Sequence, residues 1–360
     1  MSTVGDMRSI FIAARILGGA IHITTENDIT ARKRRDVFFI AVSISLYFVS
    51  LVAINVYILP YVDTDAKVVF FNFARVILFY SCFFTDASLT TLWNRKIRAV
   101  LSELRNFDRV TDFRDSSKRR RVRNMCHGFM FVTLIYWTIV GYLSYRLEVR
   151  LPLLRGIAYA VVDASIFLQI MIFAGFSFLI GERFRQLCNI LKFTAEKEKL
   201  MMSDRLSVRF TLQKIWWLHC SLVNAAEMLN SVYAVQLLLW ISSLSLNTMS
   251  RIYAMKSYNL SNYGMIRETM LAISCAWNVL LVTASCHVTA YQANRVGEII
   301  FTPSSSASMK RVFLQENLEA AAYFQLRKLH FCTVAGFIRV DLPLLLSIVS
   351  GMTTYLVILW

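Results

Sequence analysis

Residues 153–192 read LLRGIAYAVVDASIFLQIMIFAGFSFLIGERFRQLCNILK, and the fold turns on this stretch. Leu153–Gly181 is apolar almost throughout, broken by Arg155 and Asp163. At Glu182 the chain turns abruptly basic, with Arg183, Arg185 and Lys192 following. A bilayer-spanning helix needs about 20 mostly apolar residues, so Leu153–Gly181 crosses with length left for tilt or protrusion. Working outward, six more runs of this kind appear at Val37–Leu59, Val68–Leu92, Gly128–Tyr145, Val223–Met249, Thr269–Thr289 and Leu342–Trp360. The chain therefore reads as seven spans and an all-α fold.

The connections between spans alternate in positive charge. The N-terminal segment carries Arg8, Arg15 and the block Arg32, Lys33, Arg34, Arg35. Asn94–His127 holds Arg95, Lys96, Arg98, Arg105, Arg109, Arg114, Lys118, Arg119, Arg120, Arg121 and Arg123. Glu182–His219 and Asn294–Arg339 are basic in the same way. The other connections carry only Lys67, then Arg146, Arg150 and Arg155, then Arg251, Lys256 and Arg267. Lysine and arginine gather in cytoplasmic loops. The expected protein is thus polytopic, with a cytoplasmic N-terminus and, after an odd number of crossings, an extracellular C-terminus.

Composition agrees. The chain is 56% hydrophobic and only 17% charged, too apolar for a soluble domain of this size. The net charge of +16 sits in loops facing anionic lipid, so membrane lipid rather than nucleic acid is the expected partner. None of the seven cysteines falls in an outer connection, where oxidation favours disulfides. The histidines match no metal-ligand spacing. No phosphate-binding loop, zinc-protease motif or nucleophile elbow occurs, so no enzyme and no cofactor is expected. Asn259-Leu260-Ser261 is an N-glycosylation sequon in the outer connection before the sixth span, and Asn259 is its acceptor.

Polar side chains inside spans are the candidates for function, because each is costly in lipid and turns inward. Arg75 lies about two turns into the second span from the outside and Asp163 about three turns into the fourth. At similar depth are Gln236 and Trp240 in the fifth span and Trp277 and Asn278 in the sixth. Tyr80, Tyr136, Trp137 and Tyr159 add aromatic walls. Convergence of these faces would make an aromatic pocket with a few polar groups, the make-up of a small-molecule site. The alternatives are a structural Arg75–Asp163 pair, or an Arg75 that snorkels to the interface. Asp86 and Glu227 are expected in helix packing or cytoplasmic contacts. Three cytoplasmic segments read as helices: Arg183–Leu191, continuing the fourth span, Leu206–Leu218, leading into the fifth, and Met309–Phe331. The last of these carries an apolar stripe of Phe313, Leu314, Leu318, Ala321, Ala322 and Phe324. The last span places Ser347, Ser350, Gly351, Thr353 and Thr354 among aliphatics, a pattern that suits close helix packing or a pore lining.

The tail Gly336-Phe337, Asp341-Leu342 and Thr353-Thr354-Tyr355-Leu356-Val357-Ile358-Leu359 resembles the C-terminal signature of insect gustatory receptors. Glu182-Arg183-Phe184-Arg185-Gln186-Leu187 is similar to a segment that follows their fourth span. Leu218-His219 through Leu229-Asn230 is similar to the approach to their fifth span. The Gln-Phe pair that ends the family signature would lie beyond Trp360. The resemblance implies a ligand-gated cation channel of sensory-neuron plasma membranes, a homo- or heterotetramer responding to a small-molecule tastant. It implies that the last span lines the pore, with Ile358 as hydrophobic gate and Thr354 and Tyr355 supporting it. The expected organisation is an N-terminal cytoplasmic segment (1–36), a ligand-binding bundle (37–293), cytoplasmic anchor helices (294–341) and a pore helix (342–360). A pocket rich in aromatics and poor in carboxylates favours bitter or deterrent compounds over sugars. The competing readings are a G-protein-coupled chemosensory receptor, against which the inverted charge pattern stands, and a transporter, for which paired broken helices are missing.

Overall fold

The computed structural model describes residues 41–53 except 43 and 46, together with 66–92, 94–111, 116–147, 152–200, 205–257, 261–301 and 318–359. The described residues form α1 (Ala66–Leu92), α2 (Asn94–Val110), α3 (Ser116–Leu147) and α4 (Pro152–Leu200). They continue as α5 (Arg205–Ser257), α6 (Asn262–Phe301), a short α7 (Leu318–Leu326) and α8 (Leu342–Leu359). No sheet occurs among them, only one isolated antiparallel bridge between Cys332 and Arg339. The first expected span falls mostly outside the described residues. Within it 47–53 is helical, and Tyr47 stacks on Phe83 of α1 with ring centroids 4.0 Å apart.

α4, α5 and α6 run for 49, 53 and 40 residues. At about 1.5 Å per residue each far exceeds a hydrocarbon layer of about 30 Å. The expected spans are therefore sections of longer helices, at the start of α4 and in the middle of α5 and α6. The basic connections are the ends of those helices, gathered with α2 and α7 at one end of the bundle, the basic end.

The helix at the centre is α4, with most side chains from Val162 to Leu191 buried. It is apolar on every side because α3, α5 and α6 cover it. Around it the helices sort by period. On α6, Leu271, Cys275, Val279, Val282, Cys286, Thr289, Ala293 and Val296 turn inward, while Ile273, Trp277, Leu280 and Val288 face out. On α3, Phe131, Val132, Leu134, Ile135 and Ile139 form the outward stripe. An apolar stripe of that extent suits lipid.

Small residues set the helix approaches. A Cβ on Gly156 would lie 2.9 Å from the Gly141 carbonyl, so α3 and α4 meet backbone to backbone. α4 and α6 meet at Gly181, whose Cβ would lie 3.2 Å from Thr289 Oγ1. There Thr289 also donates to the Ser177 carbonyl at 2.9 Å. Helices in lipid associate through such close packing and shared hydroxyls, because water provides no drive between them.

A Gly156→Leu substitution must therefore push α3 and α4 apart. Overpacking of this kind costs about 1–3 kcal/mol. The expected result in a thermal melt of the detergent-purified protein is a lowered midpoint. Gly128→Leu, at a position with open space around it, should melt like the parent protein.

Candidate ligand site and pore helix

Opposite the basic end, four helices bring charges together within the apolar bundle. Arg251 of α5 donates to Glu268 of α6 at 2.6 Å, and both are buried. Arg267 grips the other Glu268 oxygen at 2.6 Å. Arg75 of α1, also buried, donates to Ser250 at 3.2 Å. Asp163 of α4 is buried with Arg251 and Arg75 as its charged neighbours. Asp163 thus answers two arginines rather than one. Beside it lies an aromatic layer of Trp137 and Val140 from α3, Ala164 and Phe167 from α4, and Leu271 from α6. Tyr136 stands edge-on to Trp137 and donates to the Met270 carbonyl.

A second polar level lies nearer the basic end. Trp240 of α5 donates to Asp86 of α1 at 3.1 Å, both buried. Phe173 of α4 packs against Trp240 and Tyr233 with centroids 6.1 and 5.1 Å away. Since Phe173 is ten residues beyond Asp163 on one helix, the two levels are about 15 Å apart. The Gln236 side chain lies beside Asp86, and the Gln169 amide finds no partner among the described residues. Tyr80 is buried and shares a 2.9 Å hydrogen bond with Ser50.

The sequence candidates therefore divide. Arg75, Trp137 and Asp163 border the upper level. Gln236 and Trp240 belong to the lower one, and Tyr80 sits on α1 with a partner from the first span. Asn278 is buried on the inward face of α6, with its amide oxygen unpartnered among the described residues. Trp277 is 47% exposed on the outward face. Neighbours on a helix stand about 100° apart, so Trp277 and Asn278 cannot serve one site. Asn259 and the side chain of Tyr159 lie outside the described residues.

Other functional-looking residues were not singled out from sequence. Glu268 was passed over as a span boundary. α2 was read as a charged connection, yet Ile97, Val100, Leu101, Leu104 and Phe107 are buried along one face of it. Its apolar period was the available signal. The Arg183 guanidinium is fully buried and grips Asp108 of the α2 end through two bonds of 2.9 and 2.8 Å.

At the basic end α7 docks through His219, which shares a hydrogen bond with the Tyr323 hydroxyl and donates to the Ala293 carbonyl, both at 3.1 Å. Helix was expected through Phe331 but stops at Leu326. The chain then runs extended, because other groups take its backbone. The Asn294 amide pairs with both backbone groups of Leu329, at 2.8 and 3.1 Å. Asn230 accepts from Cys332 N at 3.1 Å. A tight turn follows at Gly336, whose φ of 73° only glycine adopts readily. Arg327 meets Glu227 at 2.8 Å, and Asp341 caps α8 by accepting from Leu344 N at 3.2 Å.

α8 is apolar, yet none of its described side chains is fully buried. Leu344, Leu345 and Ile348 rest on the bundle. Ser347, Ser350, Thr354 and Ile358 are exposed along the helix. The hydroxyls of Ser347, Thr353 and Thr354 are satisfied by carbonyls four residues back. Tyr355 and Ile358 are exposed.

This architecture defines a multi-pass helical membrane receptor with buried polar groups at two depths. A family model described as 7tm Chemosensory receptor matches residues 7–360, and the chain belongs to that family. It is a receptor family, not an enzyme family. The structure is similar to the insect olfactory receptor OR5 from Machilis hrabei, at a TM-score of 0.71 and 15% identity over 98% of this chain and 97% of that one. It is also similar to the same receptor in complex with eugenol, with a TM-score of 0.69 at the same identity and coverage. No curated protein sequence matches the chain.

Removing one member of a buried charge pair leaves the other uncompensated, at about 3–5 kcal/mol. Glu268→Gln should therefore destabilise the purified receptor strongly in a thermal melt. Glu268→Asp, which keeps a carboxylate between Arg251 and Arg267, should recover part of the loss, and Trp277→Leu should change little.

Proposed function

We propose that this chain is a gustatory receptor that opens a cation pore when a tastant binds. The N-terminus is cytoplasmic and the C-terminus extracellular, as the basic end requires if it faces the cytoplasm. Four copies, of this chain or of this chain with relatives, place their α8 helices around one axis in the plasma membrane of a sensory neuron. The observation that carries this reading is α8 itself. An apolar helix with no buried side chain and a strip of exposed hydroxyls suits a wall shared with other copies. Ile358 at the outer end of that strip provides an aliphatic ring able to close the path by dewetting.

The tastant binds at the upper polar level, where Trp137, Tyr136 and Phe167 offer aromatic faces and Asp163, Arg75 and Asn278 offer polar ones. The buried amide oxygen of Asn278, without a partner among the described residues, is a natural receiver for a ligand donor. The aromatic make-up favours bitter or deterrent compounds. α5 and α6 both line this region and both carry α8. A ligand opens the pore only by binding the open arrangement more tightly than the closed one.

The gate is testable without knowing the tastant. Ile358→Ser should raise ligand-independent cation current several-fold in voltage-clamped cells expressing the receptor, and the current should vanish when external cations are replaced by N-methylglucamine. Unchanged basal current at equal surface expression would count against α8 as the pore wall. Orientation is checked separately: an impermeant antibody on intact cells should stain a C-terminal tag and miss an N-terminal one.

A further inference from the structure

A cleft of about 630 Å³ lies between the second half of α6 and the stretch from Gln325 to Asp341. Arg327, Lys328, His330 and Arg339 line one side, and His287 and Tyr291 of α6 the other. Glu298 and Asp341 are its acidic members. Arg327 is held by Glu227 and Arg339 by Asp341, which leaves Lys328 exposed and uncommitted among the described residues. His330 Nδ1 is buried without a hydrogen-bond partner among the described residues. Burial, then the positive charges of Arg339 and Lys328, pulls the His330 imidazole below its ordinary pKa, against the opposing pull of Asp341. The cleft thus sets three cations, Arg327, Lys328 and Arg339, against the carboxylates of Glu298 and Asp341.

Its position is also informative. Asp341 caps α8, and the apolar run of that helix starts at the next residue. The cleft mouth therefore sits where the chain passes from water into lipid. Basic pockets between helices at this depth take anionic headgroups.

We propose that this cleft binds a phosphate-bearing anion, either a phospholipid headgroup or a soluble polyphosphate, between α6 and the connector that leads into α8. The anion bridges Lys328 on the connector to His287 and Tyr291 on α6, with His330 at the back wall. It fixes the start of α8 relative to the bundle. Nothing in this depends on which compound the receptor detects or on whether it conducts.

The test uses the full receptor in detergent, with short-chain phosphatidylinositol 4,5-bisphosphate and inositol hexakisphosphate as separate probes and phosphatidylcholine as the uncharged comparison. Native mass spectrometry reads retained adducts, and a thermal melt reads stabilisation. The expected result is retention of at least one phosphate probe and none of phosphatidylcholine. A basic residue near such a group contributes about five-fold in binding, so Lys328→Gln should lower retention about that much while leaving the unliganded melt unchanged. Lys328→Arg should restore it. Arg105→Gln, an exposed cation on α2 outside the cleft, should retain the probe normally. Retention of the lipid alone assigns the headgroup, and retention of inositol hexakisphosphate alone assigns a soluble anion. No retention of either, or equal loss in Arg105→Gln and Lys328→Gln, overturns the proposal.

Discussion

One buried guanidinium holds the basic end together. Arg183 has no exposed surface, and it sits where α4 leaves the apolar zone. A charge in that position is tolerable only if every donor is answered. Two donors reach Asp108 and a third reaches the Leu179 carbonyl at 2.7 Å. The clamp ties α2 across the base of the bundle. α2 in turn packs along α5, where Ser221 donates to Glu103 at 2.6 Å. With α4 and α5 fixed, His219 is presented to Tyr323 at the angle that docks α7. The long helices thus protrude from the membrane as a braced scaffold rather than as loose ends, and α8 is delivered from that scaffold.

Polar groups are spent sparingly elsewhere, and their distribution divides the bundle. The charges of Arg75, Asp163, Arg251 and Glu268 join α1, α4, α5 and α6 near the face away from the basic end. The Trp240–Asp86 bond joins α1 to α5 at a second depth. Beyond the second level, toward the basic end, the packing of α4 against α6 is carried by Ser177, Gly181 and Thr289. Buried ion pairs specify which helix faces meet, while small residues allow the approach. A ligand placed among the upper charges would work against interactions that are strong and directional. Apolar contacts lower down can slide at smaller cost. That contrast gives the upper level leverage over the relative positions of α5 and α6, the two helices on which α8 rests.

Much of this was legible in the sequence because bilayers impose coarse rules. The hydrocarbon thickness sets span length, and loop charge marks one end, so helix existence and order follow from composition alone. The residues from Glu182 to Leu187 could be recognised, but not that Arg183 would be fully buried against Asp108, 75 residues earlier. Pairing between remote segments leaves no local trace. The same holds for Asn294 and Asn230, whose amides replace backbone partners in the connector and end the helix expected through Phe331. Trp277 and Asn278 were chosen together on depth, a one-dimensional measure that ignores the turn between neighbours. α2 was hidden by its own charge: Arg95, Arg98, Arg105 and Arg109 dominate the composition, while the buried face repeats only at helical spacing.

The last helix differs from the central one in how far the chain covers it. In α4, side chains are covered from all sides, and its Gly and Ser residues serve contacts within the same bundle. α8 repeats that apolar composition without that cover. The hydroxyls of Ser347, Thr353 and Thr354 are satisfied by its own backbone, so they carry no hydrogen-bond debt that a neighbour must settle. They are therefore compatible with lipid, with another helix or with water, and few apolar helices are. A strip of Ser347, Ser350 and Thr354 that tolerates water, ending in the aliphatic Ile358, is what a wetted path with a dry closure requires. Leu344, Leu345 and Ile348 on the other side keep the helix attached to α5 and α6. The two faces answer to different surroundings, one to the bundle and one to whatever lies beyond it.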